Sequence, residues 1–291
     1  MLANQNGWGL FVMERDHQSG VGTIRRIDLA SGDVTEFDEP FVDGLVVLTG
    51  SGSHIALTSA SDVGGATQMT SGPDDDVWVT DSDASSAPSR RLRLVRPETG
   101  GPPRTLGSFD TTSLGFRFLV GSTATGDAVF AGADGTYFAF GLTRRTPKRL
   151  ATGALVSLFD RGNYSTINCD AAGACHVTIQ GGDNAQMTIG YDPGVEVSIA
   201  PDGNHALVIR THSTIRSLEM LDLRAGAPIA GRSGSGGGDN VSISATWTPD
   251  SSEAFVLTDR RIIPVRTDGA LTPDIQLSDD FRPDDSLVGI A

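Results

Sequence analysis

Residues 195–209 read as strand, tight turn, strand. Val195, Val197 and Ile199 alternate with polar residues, Pro201-Asp202-Gly203 makes the turn, and Ala206, Leu207, Val208 and Ile209 lead away from it. Each turn residue has a reason. Pro presets φ, Asp caps nearby backbone N–H groups, and Gly accepts a left-handed conformation. The pattern recurs at 243–257 around Pro249-Asp250-Ser251, and more loosely at 66–80 around Pro73-Asp74. A hairpin cannot bury its faces alone, so repeated hairpins must stack. That points to an all-β fold and to a β-propeller of four-stranded blades.

The rest of the chain supports this reading. Short apolar runs broken by Gly, Asp, Ser and Pro dominate, and no long helical period interrupts them. Inner strands are expected to begin near residues 45, 67, 116, 164, 196, 244 and 286. Their spacing averages about 40 residues, the length of one blade. This count predicts seven blades. Six blades with one long insertion is the alternative, because the unit from 45 is short and the unit from 164 lacks a clear outer strand. The N-terminal unit has only three strands, at 7–14, 23–29 and 33–37, while 285–291 is a strand with no partner after it. Pairing that C-terminal strand with the N-terminal unit would close the ring and remove an exposed edge. Residues 1–291 are thus expected to form a single β-propeller domain, acting as a monomer.

Charge narrows the partners. The formal net charge is -14, which argues against nucleic-acid binding and against anionic membrane surfaces. No apolar run approaches the ~20 residues needed to span a bilayer, so no membrane insertion is expected. Residues 1–7 carry no visible secretory signal, and this opening is consistent with an export signal removed upstream.

The two cysteines sharpen the expected location. Cys169 and Cys175 flank Asp170–Ala174, which aligns with the strand-strand turn at Pro201-Asp202-Gly203. Neighbours across such a hairpin come close enough for a disulfide, which would place the protein in an oxidising compartment, extracellular or periplasmic. Two free thiols are the alternative. His176 beside them lacks the further ligand that a zinc site needs.

Catalytic and metal-binding residues are not identifiable. Gly231-Arg232-Ser233-Gly234-Ser235 only approaches a nucleophile-elbow pattern. The histidines are His17, His54, His176, His205 and His212, and none forms a paired metal motif. His54, His176 and His205 are each expected just after the first turn of a unit, which would put them on one face. Asp74-Asp75-Asp76, Asp81, Asp83, Asp279-Asp280 and Asp284-Asp285 could supply oxygen ligands to calcium, but match no calcium loop. Turn chemistry and solvation are the simpler account, and no cofactor is expected. Asn163-Tyr164-Ser165 and Asn240-Val241-Ser242 fit the glycosylation sequon. Trp8, Trp78 and Trp247 fall on inner or second strands, where packing between blades accounts for them. Residues 82–89 and 232–240 are Gly/Ser-rich connections.

The Pro-Asp-Gly and Pro-Asp-Ser hairpins, with an aspartate closing a later strand at Met220-Leu221-Asp222, resemble the repeats of TolB-type propellers. Ile27-Asp28-Leu29-Ala30-Ser31-Gly32 looks like the matching third strand and turn. The resemblance implies a recognition scaffold rather than one reaction. The leading expectation is a non-catalytic, exported propeller that binds a protein or peptide partner. One alternative is a propeller enzyme, a lactonase-like hydrolase or lyase, whose channel site draws single residues from several blades. Another is an extracytoplasmic sensor domain of a larger membrane protein.

Overall fold

A computed structural model describes residues 9–15, 21–28, 34–36, 41–42, 46–51, 54–59, 68–74, 76–81, 91–98, 102–111, 115–132, 134–142, 146–182, 185–212, 215–235, 244–258, 261–276 and 286–290. Trp8, His17, Asp75, Asp83, Asp279, Asp280, Asp284, Asp285 and the sequon at Asn240 lie outside the described residues, as do residues 82–89 and 236–240.

Among the described residues the regular structure is β. The first strands are β1 (Gly9–Arg15), β2 (Val21–Asp28), β3 (Val34–Glu36) and β4 (Phe41–Val42). Then come β5 (Val46–Ser51), β6 (His54–Ser59), β7 (Gln68–Ser71), β8 (Val77–Asp81), β9 (Arg91–Arg96) and β10 (Arg104–Asp110). β11 (Phe118–Ser122), β12 (Ala128–Ala131), β13 (Thr136–Phe140) and β14 (Lys148–Thr152) follow. Next are β15 (Ala154–Asp160), β16 (Asn163–Cys169), β17 (Cys175–Gln180) and β18 (Gln186–Gly190). The last are β19 (Val195–Ile199), β20 (His205–His212), β21 (Ile215–Asp222), β22 (Ala227–Ser235), β23 (Ser244–Trp247), β24 (Glu253–Thr258), β25 (Arg261–Arg266), β26 (Ile275–Gln276) and β27 (Ser286–Ile290).

The chain divides into two compact units. Unit 1 comprises Met1–Phe41 and Ile167–Ala291, and unit 2 comprises Val42–Thr166. In unit 1, β19 to β22 and β23 to β26 form sheets of four antiparallel strands in consecutive order. A further sheet has the order β27-β1-β2-β3, with β27 antiparallel to β1 through Leu10↔Ile290 and Phe11↔Gly289. The expected pairing of the C-terminal strand with the N-terminal unit is therefore present. In unit 2, β7 to β10 and β11 to β14 are again consecutive antiparallel sets, β5 pairs with β6, and β15 joins β11 in parallel at Gly121↔Phe159.

The strand at 195–209 follows its pattern. Val195, Val197 and Ile199 are buried on β19, while Glu196 is exposed and Ser198 half-buried. This is the period-2 alternation of a strand with one face in a core. Ile199 pairs with Ala206 and Val195 with Arg210 across the turn. Leu207, Ile209, Met220, Trp247, Ala254 and Val256 then make one apolar cluster of unit 1 from β20, β21, β23 and β24.

Unit 2 packs in the same manner with larger rings. Trp78, Leu92 and Leu94 from β8 and β9 meet Phe116, Ala128, Phe130 and Phe140 from the following set. Phe116 stacks on Phe130 at 4.8 Å, and Phe109 meets Phe140 edge to face at 4.9 Å. Such pairs add to the area they bury.

One strand departs from the sequence reading. The set expected to start at 164 begins with β15, ten residues earlier. Ala154-Leu155-Val156-Ser157-Leu158-Phe159 is apolar on both faces, so it shows no alternation. Only Gly153, at φ 113, separates it from β14. Two strands joined by one glycine read as one. Tyr164 is therefore on the second strand of its set, and β18 supplies the outer strand.

The cysteines move accordingly. They flank the turn between β16 and β17, a second-to-third strand turn, whereas Pro201-Asp202-Gly203 joins a first strand to a second. The disulfide between Cys169 and Cys175 is present, with Cα atoms 4.0 Å apart. Closing so short a loop stabilises by about 2 kcal/mol on chain-entropy grounds.

Phe130 is 1% exposed and sits at the centre of the aromatic cluster of unit 2. Phe130→Ala is expected to cost about 3–5 kcal/mol, from lost transfer energy plus the cavity left behind. The midpoint of denaturant unfolding checks this. A loss under 1 kcal/mol would show that the cluster collapses onto the gap or is not packed as described.

Candidate functional site

The turns at one end of the unit 1 sheets form a hydrogen-bonded polar surface. They join β17 to β18, β19 to β20, β21 to β22, β23 to β24 and β25 to β26. Backbone hydrogen bonds tie them to one another. Gly182 N donates to Gly203 O at 3.1 Å, Leu223 N to Asn204 O at 2.8 Å, and Thr267 N to Ser252 O at 3.0 Å. Asp202 N donates to the Ser251 hydroxyl at 3.0 Å. The approach is close: a Cβ on Gly181 would lie 1.9 Å from Gly203 O, so only glycine fits there.

Four of these turns carry an aspartate that caps its own backbone. Asp202 Oδ1 accepts from Asn204 N, Asp222 Oδ1 from Arg224 N and Ala225 N, Asp250 Oδ1 from Ser252 N, and Asp268 Oδ1 from Ala270 N. These are Asx turns, the local reason for Asp at these positions. Asp170 and Asp134 do the same in other turns. Turn chemistry thus accounts for these carboxylates. Among the described residues no group of three or more His, Cys, Asp or Glu is arranged to hold a metal ion.

Ser251 was not singled out by sequence. It is 3% exposed and has φ 62, matching φ 67 at Gly203 in the equivalent turn. A left-handed serine carries a backbone cost of roughly 1–2 kcal/mol. Its hydroxyl compensates by accepting from Asp202 N across to the preceding turn. The signal was available: aligning Pro249-Asp250-Ser251 with Pro201-Asp202-Gly203 sets a serine where the backbone wants glycine.

Electrostatics at this end are uneven. At Asp250 burial acts upward, but hydrogen bonds from Ser252 and Thr248 outweigh it and hold the carboxyl below its usual range. Asp268, bound by Arg266 Nε and by the other guanidinium nitrogen at 3.0 and 2.7 Å, is held at about 2. Burial pushes Glu253 up, partly offset by Arg266 and by the Thr272 hydroxyl that donates to it at 3.3 Å.

The other sequence candidates scatter. His205 opens β20, with Nδ1 3.5 Å from Asp202 Oδ2, and His54 opens β6. His176 is the second residue of β17, so it follows a turn of a different kind, and the three histidines do not share a position. Asn163 is 4% exposed on β16, so it is no glycosylation acceptor in the folded protein. Asp76, 3% exposed, is bound by Arg96 Nε at 2.7 Å, a structural ion pair. Trp78 and Trp247 are buried and donate to Gly126 O and to the Ser198 hydroxyl, as packing residues do. Among the described residues no helix is long and apolar enough to cross a membrane.

Two outcomes follow for these turns. Ser251→Ala is expected to cost about 1–2 kcal/mol, since it keeps the backbone cost and leaves Asp202 N without its acceptor. Ser251→Gly loses the same bond but relieves φ, so its stability should fall between Ala and wild type. Thermal unfolding ranks the three, and Gly below Ala would contradict the left-handed serine.

Glu253 supplies a pH test. The folded state holds its proton more tightly than the unfolded chain, so its contribution to stability declines as pH rises through 4.5 and above. Asp268 has the opposite sign: its contribution is present above 3.8 and lost as pH falls toward 2. Glu253→Gln keeps an acceptor for Thr272 and removes the half-buried charge. It should raise the denaturant midpoint at pH 7 and leave it unchanged near pH 3.5. An unchanged midpoint at both pH values would refute the burial effect.

No family model and no curated protein matches the chain. Solved structures do. Apo AztD from Citrobacter koseri aligns at 13% identity with a TM-score of 0.52, covering 97% of this chain and 97% of that one. Another crystal structure of Citrobacter koseri AztD aligns at 12% identity and TM-score 0.50, with the same coverage of each chain. TolB from Acinetobacter baumannii aligns at 14% identity and TM-score 0.49, over 97% of this chain and 67% of that chain. At these identities the likeness concerns fold alone. Consecutive four-stranded antiparallel sheets and the match to AztD make this an all-β, propeller-like protein.

Proposed function

We propose that this chain is an exported recognition propeller of seven blades, with β27 on β1 closing the ring, that binds a protein or peptide partner through the turn end of the unit 1 sheets. The seven blades correspond to the β27-β1-β2-β3 sheet, the β5–β6 pair, and the five consecutive sets that start at β7, β11, β15, β19 and β23. The cystine suits export.

The observation that carries the binding reading is the bond from Asp202 N to the Ser251 hydroxyl. Together with Gly182 N to Gly203 O it fixes three successive turns in place. A partner meeting preorganised turns does not spend binding energy on ordering them. The turns also present exposed carboxylates at Asp202, Asp250 and Asp268. A partner segment carrying Arg or Lys fits this charge, and the net charge of -14 would speed its arrival.

Selection from a displayed random-peptide library against the purified protein tests this. Enriched peptides should contain Arg or Lys, bind more weakly as salt rises, and slow amide exchange at residues 200–205 and 248–253. Enrichment of peptides that protect other segments, or of none at all, would overturn the assignment of this end.

A further inference from the structure

We infer that the Cys169–Cys175 bridge is a thiol–disulfide exchange site, opened by a dithiol attacking Cys169 while the protein remains folded. Access comes first. Cys169 is exposed, as are Asp170, Ala171, Ala172, Gly173 and Ala174, whereas Cys175 is half-buried. Exposed cystines are the ones that exchange.

The turn does not depend on the sulfurs. Asp170 N donates to Ala174 O at 2.9 Å and Gly173 N to Asp170 O at 3.1 Å. Asp170 Oδ1 accepts from Ala172 N and from Ala174 N, each at 2.9 Å. Four hydrogen bonds inside five residues hold the hairpin shut. Beyond it, Val177 and Ile179 are buried at 0% exposure and anchor β17. Reduction therefore removes a clamp from a turn that is already closed.

The two sulfurs are not equivalent. Gly173 O lies 3.6 Å from Cys175 Sγ, where it can accept an S–H. Cys169 is the exposed sulfur and so the one an incoming thiolate reaches, which makes Cys175 the sulfur that leaves; Gly173 O then accepts from the Cys175 thiol once it is protonated. The thiolate of a dithiol forms a bond to Cys169 Sγ, the Cys169–Cys175 bond breaks, and Cys175 leaves as a thiolate that takes up a proton. The second thiol of the reagent then displaces the mixed disulfide. Two electrons and two protons pass to the bridge, and the dithiol becomes a disulfide. These are the chain's two cysteines, so no other thiol competes for the intermediate.

The test treats the native protein with dithiothreitol at pH 8 without denaturant, quenches with iodoacetamide, and weighs it. The expected result is two added labels, with the circular dichroism unchanged and a melting temperature lower by no more than about 8 °C. A parallel sample, reduced in the same way but treated with oxidised glutathione before the iodoacetamide, should return the unlabelled mass. Labels that appear only in denaturant, or loss of the fold on reduction, would overturn the inference. Single variants test the direction of attack. The lone Cys169 thiol in Cys175→Ser should react with a disulfide reagent about tenfold faster than the lone Cys175 thiol in Cys169→Ser. Equal or reversed rates would refute Cys169 as the target.

Discussion

Everything in this fold hangs on how a hairpin turn satisfies its backbone. A four-stranded sheet has two faces to bury and two ends where the chain reverses. The faces are covered by apolar packing between neighbouring sets, such as Ile209 and Met220 with Trp247 and Val256. The ends are harder, because reversing backbone exposes donors and acceptors that strands no longer pair. Here one turn completes the next. Asp202 N finds Ser251, Gly182 N finds Gly203 O, and in unit 2 Gly162 N finds Ser122 O at 3.0 Å. The glycines are small where turns meet, and the aspartates cap inside each turn.

Much of this was legible in the residues themselves. The Pro-Asp-Gly hairpin announced β19 and β20 because its signal is local: turn chemistry flanked by alternation. The pairing of the last strand with the first followed from a count of strands. What failed was β15. Its apolar residues fall on both faces, so the period that marks a strand was absent, and a single glycine hid the boundary with β14. That missed strand displaced the cysteine turn and His176, since every later assignment in the set inherited the shift.

The candidate site was less legible than the fold. Asp202 and Asp250 were read as turn residues, because an Asx turn needs only contacts two or three residues away, whereas Asp76, read as turn chemistry or solvation, is buried in an ion pair with Arg96. Ser251 could be recognised only by comparing two turns, and its partner lies 49 residues upstream in sequence. Contacts of that range have no local signature. Asp76 with Arg96, and Trp247 with Ser198, belong to the same class.

The pairing of β27 with β1 carries a kinetic consequence. Leu10 and Ile290 stand near opposite ends of the 291-residue sequence, yet they are neighbours in one sheet. During synthesis β1 is made well before β27 and waits, one edge unpaired, until residues 286–290 have followed it. The other sets close from consecutive strands and can form as they appear. Loop-closure entropy makes the terminal pairing the slowest kind of contact to find. Until β27 arrives, that edge of β1 is open to pairing with another molecule.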